Sequence, residues 1–150
     1  MLKLKKTIAT LFFAGFFPVA PGTLASLIGA GAYLAVRGNM PLYIIFTVLS
    51  LALGFWSAAG AERAFHKKDP PQIVIDEFSS MLLVYLFVPF SAKFLITGFV
   101  LFRVLDIFKI PPIKRLQRLP AGWGIMLDDI AAAILVNIIL QVLRFLPLPQ

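Results

Sequence analysis

The feature that most constrains this chain is the uncharged stretch from Gly38 to Ala61, GNMPLYIIFTVLSLALGFWSAAGA. About 20 apolar residues carry a helix across bilayer hydrocarbon. There, backbone groups must bond within the segment itself, so the stretch predicts a membrane-spanning helix. Composition agrees: 60% of the 150 residues are hydrophobic, against roughly 45–50% in soluble globular proteins. The mean hydropathy is +0.92. Residues 23–36 and 130–143 form two further uncharged runs of 14 residues each, a length that suits a short span or a buried core helix.

Proline and glycine set the expected breaks. Pro18, Pro21 and Gly22 interrupt the chain early, and Asn39-Met40-Pro41 and Asp69-Pro70-Pro71 stop helices ahead of a proline. Pro89 divides the apolar stretch 78–102, and Pro111, Pro112 and Pro120 predict an irregular segment over 109–123. Helices are therefore expected near 3–14, 23–36, 42–66, 73–88, 92–109 and 124–146. The fold class is all-α: one domain, 1–150, an integral membrane bundle of about five apolar helices plus an N-terminal interfacial helix. The start MLKLKKTIATLFFAG has a basic and then an apolar part, but the residues after it read as mature chain rather than as the end of a cleaved signal.

Charge placement gives an orientation. With five spans and a cytoplasmic N-terminus, eleven of the 14 Lys and Arg fall on the cytoplasmic side, leaving only Arg37, Lys93 and Arg144 outside, as the positive-inside rule requires. All seven acids then lie at cytoplasmic helix ends. The net charge of +7 is not gathered into a basic domain with interleaved aromatics, so no nucleic-acid partner is expected; it suits anionic lipid headgroups instead. Cys is absent and His66 is the single histidine, which excludes thiolate nucleophiles, sulfur-ligated metals and any mechanism needing two histidines.

Two acid pairs, Asp76-Glu77 and Asp128-Asp129, stand where apolar helices begin. Carboxylates there are costly unless paired or metal-bound. A preference for the positive end of the helix dipole is the plain alternative, but it is met by one acid and does not call for doubled pairs. All-oxygen ligands point to Mg2+, with Asp76, Glu77, Asp128 and Asp129 as the candidates. Arg103, Asp106 and Lys109 follow at three-residue spacing along one helical stripe, either an ion-pair ladder or a phosphate site in which Asp106 is metal ligand, base or nucleophile.

In PVAPGT, Gly22 and Thr23 open a helix, with Thr23 as an N-cap and free N–H groups as an anion site, or as a plain cap. Ala25, Gly29 and Gly31 are small enough for close helix packing. Gly122 and Gly124 around Trp123 allow close backbone approach to a phosphate or metal, or a simple turn at the membrane interface. His66, among Arg63, Lys67 and Lys68, reads as a basic helix end facing lipid phosphates.

PVAPGT, IVIDEFSSM, FRVLDIFKIPPI and GWGIMLDDIAAA, in this order over residues 15–135, resemble the phosphatidylglycerophosphatase A family. A glycine is usual in that family where Ser80 stands, a Lys-Pro pair where Lys109-Ile110 stands, and often an acid near Gln117. The resemblance implies Mg2+-dependent hydrolysis of phosphatidylglycerophosphate to phosphatidylglycerol and phosphate at the bacterial inner membrane, in phospholipid biosynthesis; on the reading of the residues above, Asp106, Arg103, Lys109 and Asp129 are expected to be catalytic and Gly22, Thr23, Arg103 and Lys109 to meet the phosphate. The competing reading is a small transporter or channel subunit using the acids as an ion path, which would place acids near the bilayer midplane and often repeat its halves. No repeat is visible, and no motif sets an oligomeric state.

Overall fold

Proline sets the helix starts here as much as it ends helices. A computed structural model describes residues 1–120 and 122–145, entirely without strands among them. The α-helices are α1 (Leu2–Ala9), α2 (Pro21–Val36), α3 (Met40–Phe65), α4 (Ile75–Val84), α5 (Ala92–Phe108), α6 (Pro111–Leu116) and α7 (Trp123–Leu143), with a 3₁₀ turn at Ala14–Phe16. Pro21 and Pro111 each occupy a first helical turn, where a missing N–H costs nothing. The expected irregular segment 109–123 therefore contains a short helix, α6. Asn39 caps α3 by accepting from the Leu42 N–H at 3.1 Å.

Two helices, α3 and α7, are long and apolar enough to cross a membrane; at 26 residues α3 spans about 39 Å at 1.5 Å per residue. The bundle of about five spans is not reproduced at that length, because α2, α4 and α5 have only 16, 10 and 17 residues. The outer surface is apolar: Ile45 and Val48 on α3 and Ile138 on α7 are each more than half exposed. A continuous apolar exterior of this kind marks a surface that meets something other than water.

The expected first helix, 3–14, ends at Ala9 because Leu11, Phe12 and Phe13 turn into the left-handed region (φ 48°, 50° and 76°). The expected helix 73–88 ends at Val84. The expected end of the last helix, residue 146, lies outside the described residues.

The core is built around α4. Ile75, Phe78, Met81, Leu82 and Val84 are buried among α2, α3, α5 and α7, and Gly29 lets α2 come so close that a Cβ there would lie 2.7 Å from the Phe78 carbonyl oxygen. Ala25 is likewise buried, but Gly31 is exposed with nothing near it, so the packing stripe ends at Gly29. A ten-residue helix leaves its last carbonyls bare inside apolar surroundings. Neighbouring side chains meet them: the Tyr43 hydroxyl donates to Leu82 O, and Asn137 Nδ2 donates to Leu83, Val84 and Leu86 O at 3.3, 3.0 and 2.9 Å. The other end of α4 is thereby held in place, and that end carries Asp76 and Glu77.

Candidate active site

Four helix ends meet at one pole of the bundle. The first turn of α4 brings Asp76 and Glu77, α7 brings Asp128 and Asp129, the end of α5 brings Arg103, Asp106 and Lys109, and the first turns of α2 bring Gly22 and Ser26. One carboxylate oxygen from each of Asp76, Glu77 and Asp129 lies within 4.8 Å of the others. Gly22 is where α2 passes over this group: a Cβ there would run into Glu77 Oε1 and sit 3.3 Å from an Arg103 Nη2. Glycine is the residue that leaves room for both.

The five carboxylates divide by partner. Arg103 Nη1 lies 2.7 Å from Asp106 Oδ2, 3.3 Å from Ser26 Oγ and 3.9 Å from Glu77 Oε1. Lys109 Nζ lies 2.5 Å from Asp128 Oδ2, 3.6 Å from Asp106 Oδ1 and 4.0 Å from Asp129 Oδ1. Asp106 and Asp128 are thus each closely paired with a cation, which leaves Asp76, Glu77 and Asp129 in excess. On each of those three, one oxygen (Asp76 Oδ1, Glu77 Oε2, Asp129 Oδ2) is buried without a hydrogen-bond partner, as is Arg103 Nε.

Buried unpartnered carboxylate oxygens are costly to leave alone, and three carboxylates that each carry one, converging without His or Cys, form a donor set that fits a hard divalent cation. Burial, then the charges of Glu77 and Asp129, hold the Asp76 carboxyl well above the usual carboxylate range. Burial pushes Glu77 up to about 7, with Arg103 opposing; its side chain is 14% exposed. Burial would lower the Lys109 ammonium, but Asp129, Asp128 and Asp106 outweigh it and the group is raised.

The residues singled out in the sequence fall into two groups. Asp76, Glu77, Arg103, Asp106, Lys109, Asp128, Asp129 and Gly22 share this pole, with Asp128 turned to Lys109 rather than to the three converging acids. Thr23 is not the α2 cap: that position is Ala20, at φ 48° and ψ 62°, and the Thr23 N–H donates to Ala20 O at 3.0 Å. Gly122 and Gly124 stand against neighbouring backbone. Gly122 (φ 76°) lies against the α3 backbone at Ala58 and Ala59, and Gly124 against the carbonyls of Gln117 and Leu119. His66 caps α3 in the left-handed conformation, exposed on the surface among Arg63, Lys67 and Lys68.

Ser26 is a site neighbour that the sequence reading passed over; its signal is its position one turn beyond Gly22, to whose carbonyl its hydroxyl donates at 2.9 Å. Ser80, where a glycine is expected from the resemblance, has a fully buried hydroxyl without a partner.

A family model described as phosphatidylglycerophosphatase A matches residues 7–144. The chain belongs to the phosphatidylglycerophosphatase A family. Among curated relatives, a Haemophilus influenzae phosphatidylglycerophosphatase A is 33% identical over 92% of this chain and 87% of its own. Escherichia coli phosphatidylglycerophosphatase A is 32% identical over 85% of this chain and 76% of its own. A Bacteroides thetaiotaomicron protein with the provisional name phosphatidylinositol-3-phosphatase is 30% identical over 92% of both chains. No solved structure matches. As a member of the phosphatidylglycerophosphatase A family the chain is a phosphatase, a phosphoric monoester hydrolase, and the matched range contains every residue of the pole described above.

Proposed function

We propose that this phosphatase removes the terminal phosphate monoester of phosphatidylglycerophosphate, giving phosphatidylglycerol and inorganic phosphate, with Mg2+ held by Asp76, Glu77 and Asp129, at the cytoplasmic face of a bacterial inner membrane. The observation that carries it is the convergence of three carboxylates, two buried and one half-buried, in excess over Arg103 and Lys109 beside them and each with an unpartnered oxygen. The names of the H. influenzae and E. coli relatives supply the substrate. Mg2+, when bound, supplies positive charge for phosphoryl oxygens and makes a nearby water more acidic.

The chain's own residues do the rest. Arg103 offers its unpartnered Nε and Lys109 its ammonium to the phosphate oxygens, a charge-assisted contact that grows in value as charge develops there. Asp106 bridges those two cations and Asp128 fixes Lys109, so both act as positioning residues. A water oxygen attacks phosphorus, the bond from phosphorus to the glycerol oxygen breaks, and the glycerol oxygen leaves with a proton. Ser26 and the glycine at position 22 keep Arg103 and Glu77 at their present separation. α2, α4 and α5 complete the membrane-embedded bundle around α3 and α7, reaching the hydrocarbon partway. The acids at one pole of the bundle give no support to an ion path through it.

The test is phosphate release by the detergent-purified protein from phosphatidylglycerophosphate, with phosphatidic acid and phosphatidylinositol 3-phosphate in parallel, with Mg2+ and with EDTA. Release from the first substrate that EDTA stops and Mg2+ restores is expected. Asp129→Asn should lower that rate by at least about a hundredfold, as loss of a metal ligand does, without loss of membrane insertion. Preferential release from the inositol lipid would move the substrate to that of the B. thetaiotaomicron relative's name. EDTA-resistant turnover would remove the metal.

A further inference from the structure

Lys109 also lines a basic hollow whose other cations the chemistry above does not use. It is an open cavity of about 590 Å3 floored by the start of α6 and walled by Lys109, Phe108, Lys114, Arg115 and Arg118. Lys114, Arg115 and Arg118 are exposed, and among the described residues none has a carboxylate within ion-pair distance. Lys114 and Arg118 stand one helical turn apart, the turn being continued past α6 by the bond from the Arg118 N–H to Arg115 O at 3.2 Å. Like charges so placed repel, and an anion between them relieves that repulsion. Lys109 is the shared residue: its ammonium reaches Asp128 and Asp129, and the same residue lines the hollow.

We infer that Lys114, Arg115 and Arg118 form a second anion subsite, which takes the phosphodiester of the lipid while the monoester sits at Arg103 and Lys109. The inference rests on the substrate proposed above, in which a glycerol bridge joins a terminal monoester to a diester that continues into diacylglycerol. The diester is the next charge along the lipid from the monoester, and the hollow is joined to the catalytic pole through Lys109, which belongs to both. Ile107 and Phe108, 63% and 76% exposed beside it, offer an apolar flank where acyl chains would return to the bilayer. Such a subsite gives specificity: a lipid whose monoester is attached directly to diacylglycerol has nothing to place there, so three cations stay unpaired.

The test uses the full-length protein in mixed micelles. Binding of phosphatidylglycerol, which has the diester and no monoester, is measured by intrinsic tryptophan fluorescence for the wild type and for the triple variant K114Q/R115Q/R118Q. A conservative variant, R115K/R118K, keeps the charges, and thermal melts verify that each variant folds. Phosphatidylglycerol binding should weaken about tenfold or more in the triple variant, as loss of charge-assisted contacts does, and survive in the conservative one. Inhibition of turnover by inorganic phosphate, which reports on the monoester position, should not move.

Oleate at matched micelle charge should fail to compete. Competition by oleate equal to that by phosphatidylglycerol would mean that the cations sense only surface charge, and unchanged phosphatidylglycerol binding in the triple variant would remove the subsite; either overturns the inference. Because phosphatidylglycerol binding needs no turnover, loss of the diester subsite and failure of the proposed reaction are separate results: the second appears as a wild type that releases no phosphate from phosphatidylglycerophosphate.

Discussion

Whenever no metal is bound, Asp76, Glu77 and Asp129, in excess over the two nearby cations, make this pole a stability liability, and its direction can be worked out. Glu77 has a folded value of about 7 against an ordinary 4.5, so between those values the folded state keeps a proton that the unfolded chain gives up. Stability without metal therefore falls as pH rises through that window, and Asp76, raised in the same direction, adds to the fall. A divalent cation competes with the proton and binds the folded state, so it stabilises by mass action. In EDTA, the melting temperature in detergent should be lower at pH 7.5 than at pH 5; Mg2+ should raise it markedly at pH 7.5 and hardly at pH 5. A melting temperature in EDTA that climbs with pH through this window would show that these acids are not held protonated. The acids themselves were legible in the sequence because doubled carboxylates before apolar helices have few other uses. Their division was not legible: that Asp128 serves Lys109 while Asp129 joins Asp76 and Glu77 depends on the rotation of α7, which adjacent positions do not reveal.

Helix starts were easier to read than helix ends. The starts expected at 42 and 92 lie within two residues of those of α3 and α5, at Met40 and Ala92, and the structure shows what fixes them: the side chains of Asn39 and Ser91 cap the two helices. The end of α4 at Val84 has no such mark, because no proline comes until Pro89; what ends it is a set of partners far along the chain. Asn137 is the chief of these, one amide spread over three carbonyls. A polar residue in the middle of an apolar run such as 130–143 could have signalled such a role. Replacing it by Leu keeps the volume and removes the donors; Leu83 O keeps the Leu86 N–H and Leu86 O keeps Gln141, but Val84 O is left unmet at about 1–3 kcal/mol, or roughly 2–4 °C of melting temperature per kcal/mol at this length. Asn137→Leu should therefore melt several degrees lower in detergent, while the KM of the folded fraction stays near the wild-type value because the acids lie at the opposite end of α4. An unchanged melting temperature would mean that this carbonyl finds water instead, and that α4 does not end in a dry environment.

At the scale of the whole molecule, polarity divides the bundle. The five site acids gather at one pole, with Glu62 and Asp69 joined beside α6 through the Asp69 N–H to Glu62 Oε1 and the Gln117 amide to Asp69 Oδ2. The other pole carries Arg37, whose guanidinium lies 3.7 Å over the Phe90 ring, and near the end of α2 a stack of Tyr33 on Tyr85 at 4.6 Å. If eleven cations face the cytoplasm, Lys67 and the acids lie on that side and the α2–α3 turn at Gly38 lies outside. The chain has no cysteine, so single cysteines introduced at Lys67 and at Gly38, both exposed, are clean reporters of side. In intact cells stripped of the outer membrane, an impermeant maleimide should label Gly38→Cys at once and Lys67→Cys only after the inner membrane is opened. The reverse order would put the catalytic pole outside, where positive-inside charge counting has failed. Labelling of both without opening would mean that α3 does not cross the bilayer, and the apolar exteriors of α3 and α7 would then have to be covered by protein instead of lipid.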